Sequence, residues 1–111
     1  MKFKSLIFIC LLPAANGTPN PEATPNKLEI RFDKHQFSPQ TLIVPAGKAL
    51  EINVVNLSRE RIEFESFKLN REKVVEPGGS VTVRLPALRA GAYDFFDDFH
   101  PDVPEGAIVA K

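Results

Sequence analysis

His35-Gln-Phe-Ser-Pro-Gln-Thr-Leu-Ile-Val-Pro-Ala-Gly-Lys-Ala-Leu-Glu-Ile-Asn-Val-Val-Asn56 decides the fold class of this chain. Residues 41–44 form a short apolar run that Pro45-Ala46-Gly47 ends, and Leu50, Ile52 and Val54 then alternate with Glu51 and Asn53. A two-residue period bounded by Pro and Gly is the mark of a half-buried strand. Outward from this stretch the signal recurs. Leu28, Ile30 and Phe32 alternate before it. Residues 62–66, the alternating Val81, Val83 and Leu85, residues 92–96 and residues 107–110 follow it, with polar or Pro/Gly turns between them. Seven short strands and no useful helical period predict an all-β Greek-key β-sandwich. Phe37, Phe64, Phe67, Phe95, Phe96 and Phe99 are the heavy apolar load, and most of them are expected to fill the space between its sheets. A short helical turn around residues 69–73 stays open at this point.

The chain has 111 residues, one domain's worth. Its first residues read differently. Lys2 and Lys4 precede the apolar run Leu6-Ile-Phe-Ile-Cys-Leu-Leu12, and Pro13 and small residues follow. That is the layout of a secretory signal peptide over residues 1–17, and the run is too short to span a bilayer. Residues 18–26, Thr-Pro-Asn-Pro-Glu-Ala-Thr-Pro-Asn, read as a Pro-rich spacer, so the folded domain is expected over 27–111 and the protein is expected in the periplasm. Cys10 follows Ile9 rather than a small residue, which argues against a lipid anchor. With the signal removed no cysteine remains, which excludes disulfides, a thiolate ligand and a cysteine nucleophile.

Without Lys2 and Lys4 the chain carries 12 Lys and Arg against 14 Asp and Glu, a net of −2, which offers no basic field for nucleic acid. From Asp94 to Glu105 there are carboxylates and His100 but no Lys or Arg. Asp97 and His100 stand three apart after a strand, so a turn can aim both at one cation. Glu63 and Glu65 share a strand face by alternation. Two like charges there repel unless a cation or a basic side chain lies between them, and Arg61, Arg71 or Lys73 is available as that partner. Metal and salt bridge are both open readings of this pair. Asp98 reads as solvated, with orienting His100 as its other reading. Glu72 can reach the site but reads more naturally as paired with its own neighbours, Asp102 and Glu105 as attracting cations without binding them, Tyr93 as core, and His35 as a surface residue. Asn56-Leu57-Ser58 matches a glycosylation sequon. Nothing forms a Ser–His–Asp arrangement, and a domain this small offers no deep cleft, so an enzyme is not expected.

The 35–56 stretch and Gly91-Ala-Tyr-Asp-Phe-Phe-Asp-Asp-Phe-His-Pro-Asp-Val-Pro-Glu-Gly106 together resemble the two halves of cupredoxin domains. Against the four ligands of a blue-copper centre, the resemblance puts Glu63 at the first His, Asp97 at the Cys, His100 at the second His and about Pro104 at the Met. Without sulfur donors no type 1 blue copper is expected. Glu63-Phe-Glu-Ser, Leu69-Asn-Arg-Glu-Lys-Val-Val-Glu-Pro-Gly78 and Phe95-Phe-Asp-Asp-Phe-His-Pro resemble more closely a subgroup found in bacterial periplasmic iron uptake. It occurs as a small separate protein or as the N-terminal domain of imelysin-type iron-uptake proteins. That resemblance implies an iron or copper ion held by Glu63, Glu65, Asp97, Asp98 and His100. It also implies an inner-membrane permease or a companion periplasmic iron-binding protein as partner, with at most an accessory role in ferrous iron oxidation. The alternative is a metal-free sandwich that binds only a partner protein.

Overall fold

The computed structural model describes residues 28–111. The signal-peptide and spacer readings lie outside the described residues. Nine strands follow one another: β1 Leu28–Asp33, β2 Gln36–Ser38, β3 Thr41–Val44, β4 Leu50–Asn56, β5 Ile62–Ser66, β6 Arg71–Val75, β7 Ser80–Leu85, β8 Gly91–Asp97 and β9 Gly106–Ala110. They form a four-stranded sheet, β2-β1-β4-β7, facing a five-stranded sheet, β3-β9-β8-β5-β6. The β1–β4 and β3–β9 pairs are parallel and the others antiparallel. This is the expected all-β sandwich with two more strands than the seven read from alternation.

The additions are β2 and β6. β2 has three residues, with only Phe37 turned inward. β6 is an edge strand whose only buried residue is Val75, so its sequence Arg-Glu-Lys-Val-Val carries no alternation. The open helical turn is instead the β5–β6 hairpin turn. There Asn70 adopts a positive φ of 56°, its N–H donates to the Phe67 carbonyl at 3.1 Å, and the Leu69 N–H donates to Ser66 Oγ at 3.2 Å.

The alternating apolar residues of both sheets meet in one core, with Ile30, Phe32, Ile52, Val54, Ile62, Phe64, Val83, Phe95 and Ile108 almost inaccessible to solvent. Of those six phenylalanines, most of them expected inside, Phe37, Phe64 and Phe95 are there, with Phe37 packed edge-on to each of the other two. Phe67 and Phe99 are exposed and Phe96 is half-buried. Parity explains Phe96, an outward residue of the alternation that turns Phe95 inward, whereas Phe67 lies in the β5–β6 turn past the end of β5. Gly106 is required where β9 starts. A Cβ there would collide with the Phe95 ring and stand 2.7 Å from the Gln40 carbonyl oxygen.

Asn56 ends β4 with its side chain fully buried. Its amide donates to the carbonyls of Glu60 at 2.6 Å and Val75 at 3.1 Å, and its Oδ1 accepts from Ser58 N–H and Oγ–H. The sequon asparagine is therefore a clamp between the β4–β5 loop and β6, with its amide unavailable for a glycan in the folded chain. Asn56→Ala leaves two carbonyls without their buried donor, so urea denaturation should show a loss of about 1–3 kcal/mol; a variant as stable as the parent would contradict the clamp.

Candidate metal centre

Alternation along β8 sends Asp97 inward and Asp98, one residue on, to the other side. Asp97 faces Phe64 across the β5–β8 ladder and is buried. A carboxylate cannot be buried there without donors. It has three: the Glu63 N–H at 3.0 Å and the Phe99 N–H at 3.0 Å on Oδ1, and His100 Nδ1 at 2.6 Å from Oδ2. His100 Nε2 reaches Glu60 Oε1 at 2.9 Å. The imidazole thus spans two carboxylates and ties the β8–β9 loop to the β4–β5 loop. His35 lies on the positive-φ turn between β1 and β2 and holds Asp102 at 2.9 Å, its ring 5.8 Å from that of His100. The His35–Asp102 hydrogen bond raises the His35 pKa and lowers that of Asp102.

Glu63 and Glu65 project from the other face of β5. In the β5–β6 ladder Glu65 stands opposite Glu72 and Glu63 opposite Val74. One carboxylate oxygen from each of Glu63, Glu65 and Glu72 lies within 4.8 Å of the other two. Glu63 is 8% exposed, and burial, foremost, pushes its carboxyl up to about 7; a hydrogen bond to the Glu72 carboxyl and the charges of Glu72, Asp98 and Glu65 add to the shift. Glu65 is also raised, by desolvation first and then by the charges of Glu72 and Asp98. Among the described residues no ion pair reaches any of the three. Arg61 turns to Glu76, and the Arg71 guanidinium donates to the carbonyls of Leu69, Asn70 and Arg84. The salt-bridge reading of the glutamate pair is thus not the arrangement found. Three oxygen donors close together without a counter-charge are what a hard cation needs.

The five residues named from the sequence therefore do not meet at one point. Glu63 and Glu65 gather on the outer face of the five-stranded sheet, with Asp98 near enough to act on their charge. Asp97 and His100 bond to each other at the end of the sandwich. Glu72, set aside as a local pair, completes the outer group instead. The signal that finds it is register: about the turn at residues 67–70, a hairpin places 72 opposite 65.

The cupredoxin-like domain family matches residues 5–110. This chain belongs to the cupredoxin-like domain family. An uncharacterised protein of Rickettsia prowazekii is 32% identical over 116 residues, covering 97% of this chain and 93% of that protein. Amicyanin from Paracoccus versutus superposes with a TM-score of 0.60 at 16% identity, covering 81% of this chain and 87% of that one. A purple cupredoxin from Nitrosopumilus maritimus gives 0.60 at 16% identity, with 77% and 100% covered. The metal-binding domain of a Cu(I)-exporting P-type ATPase of Streptococcus pneumoniae, solved with Cu(I), gives 0.65 at 15% identity, with 77% and 84% covered. At these identities the solved structures share the fold with this cupredoxin-like chain.

The raised Glu63 carboxyl has a defined sign in stability. The stabilisation that its proton provides is fully present below its ordinary value of 4.5 and is lost as pH rises through about 7. In chelator, urea denaturation should show a fall in stability between pH 5 and pH 8 that is smaller in Glu63→Gln. Equal falls in the two proteins would place the coupling elsewhere.

Proposed function

We propose that this cupredoxin-like protein binds an oxygen-seeking cation, iron or copper(II), through Glu63, Glu65 and Glu72 on the outer face of its five-stranded sheet. The observation that carries the reading is the convergence of three carboxylates, one of them buried, without a basic partner among the described residues. Asp98 adds charge to the same neighbourhood. Asp97 and His100 hold the loop rather than the ion, since both imidazole nitrogens already meet carboxylates. A copper–thiolate centre has no donor in residues 28–111, which contain neither Cys nor Met. The chain's own part is to bring the donors together in the apo state and to release a proton from the Glu63–Glu72 pair when a cation enters.

The setting we propose is periplasmic iron uptake, with the ion passed to an inner-membrane permease or to a companion periplasmic iron-binding protein. Support comes from the signal-like start of the sequence and from the three motifs shared with the iron-uptake subgroup. Two of those motifs carry the triad: Glu63-Phe-Glu-Ser supplies Glu63 and Glu65, and the segment from Leu69 to Gly78 supplies Glu72.

Isothermal titration with copper(II), and with ferrous iron under anaerobic conditions, tests the ligand set. Glu63→Gln, Glu65→Gln and Glu72→Gln should each weaken binding at least tenfold, about 1.4 kcal/mol, while His100→Ala keeps the ion. Copper(II) should bring no intense visible band. Loss of binding in His100→Ala with Glu72→Gln unchanged would move the site to the end of the sandwich.

A further inference from the structure

The two outer faces of the sandwich are built on different electrostatic plans. On the four-stranded sheet, outward residues of both signs pair: Arg31 with Glu29 at 2.6 Å and Arg84 with Glu51 at 3.1 Å, the latter directly across the β4–β7 ladder. On the five-stranded sheet the outward strand residues are Thr41, Ile43, Ala107 and Val109 at one side and Ala92, Asp94 and Phe96 in the middle. Glu63, Glu65, Glu72 and Val74 complete the far side. No Lys or Arg is among them. One ammonium lies at its rim, Lys68 Nζ, which donates to the Ala92 carbonyl at 3.4 Å; the face is otherwise acidic and apolar.

Its apolar members are unusually accessible. Phe67, at the tip of the β5–β6 hairpin, is 77% exposed, Ile43 49% and Val74 41%. The Phe67 ring stands edge-on to Phe96 at 5.2 Å, so it is propped against the sheet rather than folded into the core. Beside it lies a shallow depression of about 170 Å³ bordered by Glu65, Asn70, Arg71 and Glu72. The Arg71 guanidinium there is already engaged with backbone carbonyls. An exposed aromatic ring amid carboxylates has the composition of a docking anchor with a charged surround.

We propose that the outer face of the five-stranded sheet docks a protein whose surface carries Lys or Arg around an apolar socket, with Phe67 entering the socket. Charge selects this occupant. Nucleic acid and anionic lipid are repelled by the face. A second copy of the chain fits poorly, because two such faces repel and the Arg31 and Arg84 side chains of the opposite face are already paired. The proposal concerns this face in the apo protein; a cation on Glu63, Glu65 and Glu72 would lower the charge that selects the partner.

The test uses the isotopically labelled full chain in chelator and a synthetic peptide of alternating arginine and leucine. One control peptide has glutamate for arginine and another has serine for leucine. Amide shifts should move saturably on β5, β6 and β8, only weakly with the serine peptide and not with the glutamate peptide. Affinity should fall at least tenfold in Phe67→Ser and also as salt is raised, while Glu51→Gln on the opposite face changes nothing. Phe67→Ser should melt like the parent, since its side chain is outside the core; Val74→Thr supplies a second, milder probe. Undiminished binding in both variants, shifts centred on β1, β4 and β7, or self-association of the chain through Phe67 would each overturn the proposal. Metal binding lost by Glu72→Gln is scored separately by titration, so the two readings fail independently.

Discussion

A buried carboxylate without donors would destabilise this sandwich, and the way Asp97 avoids that organises the site. The strand period leaves Asp97 no choice of side, since Phe95, two residues earlier, must face the core. Its oxygens collect two backbone N–H groups and one imidazole nitrogen. One of those N–H groups belongs to Glu63, so the bond fastens β5 to the end of β8. With the Glu63 backbone fixed toward Asp97, its side chain is left to the outer face, opposite Val74 and two residues along β5 from the Glu65–Glu72 pair. The core contact and the acidic group are two sides of one strand.

The alternation of seven strands could be read from the chain because each of them has one face on the core, which forces the two-residue period. The missed strands lack that constraint. β2 contributes one core residue and β6 only Val75. Missing β6 also hid Glu72, whose place follows from cross-strand register rather than from its neighbours in sequence. The phenylalanines misled for a related reason: hydrophobicity alone places Phe67 and Phe96 inside, whereas parity turns Phe96 out and Phe67 sits on the β5–β6 turn. Glu63, Glu65, Asp97 and His100 were legible as chemistry-bearing residues. Their separation into two groups was not, because adjacent residues on a strand point to opposite faces and only the observed ladder shows which faces are shared.

The arrangement supports the proposed cation site in a cupredoxin-like fold without sulfur donors in its described residues. At the sandwich end the polar groups are consumed by one another, in the Asp97–His100–Glu60 chain and the His35–Asp102 pair. On the outer face the carboxylates are left uncompensated, and burial of Glu63 keeps a proton there until pH approaches 7. A bound cation would replace that proton and relieve the repulsion among the three glutamates. Like-charged groups held together by a folded frame lose stability in the apo state that the ion restores.

Anomalous diffraction from crystals of the full chain soaked with ferrous iron or copper(II) tests the central claim most directly. The account predicts a single strong peak among the carboxylates of Glu63, Glu65 and Glu72, with the His100 ring still between Asp97 and Glu60. A peak at His100 and Asp97, with the glutamate triad empty, would contradict it.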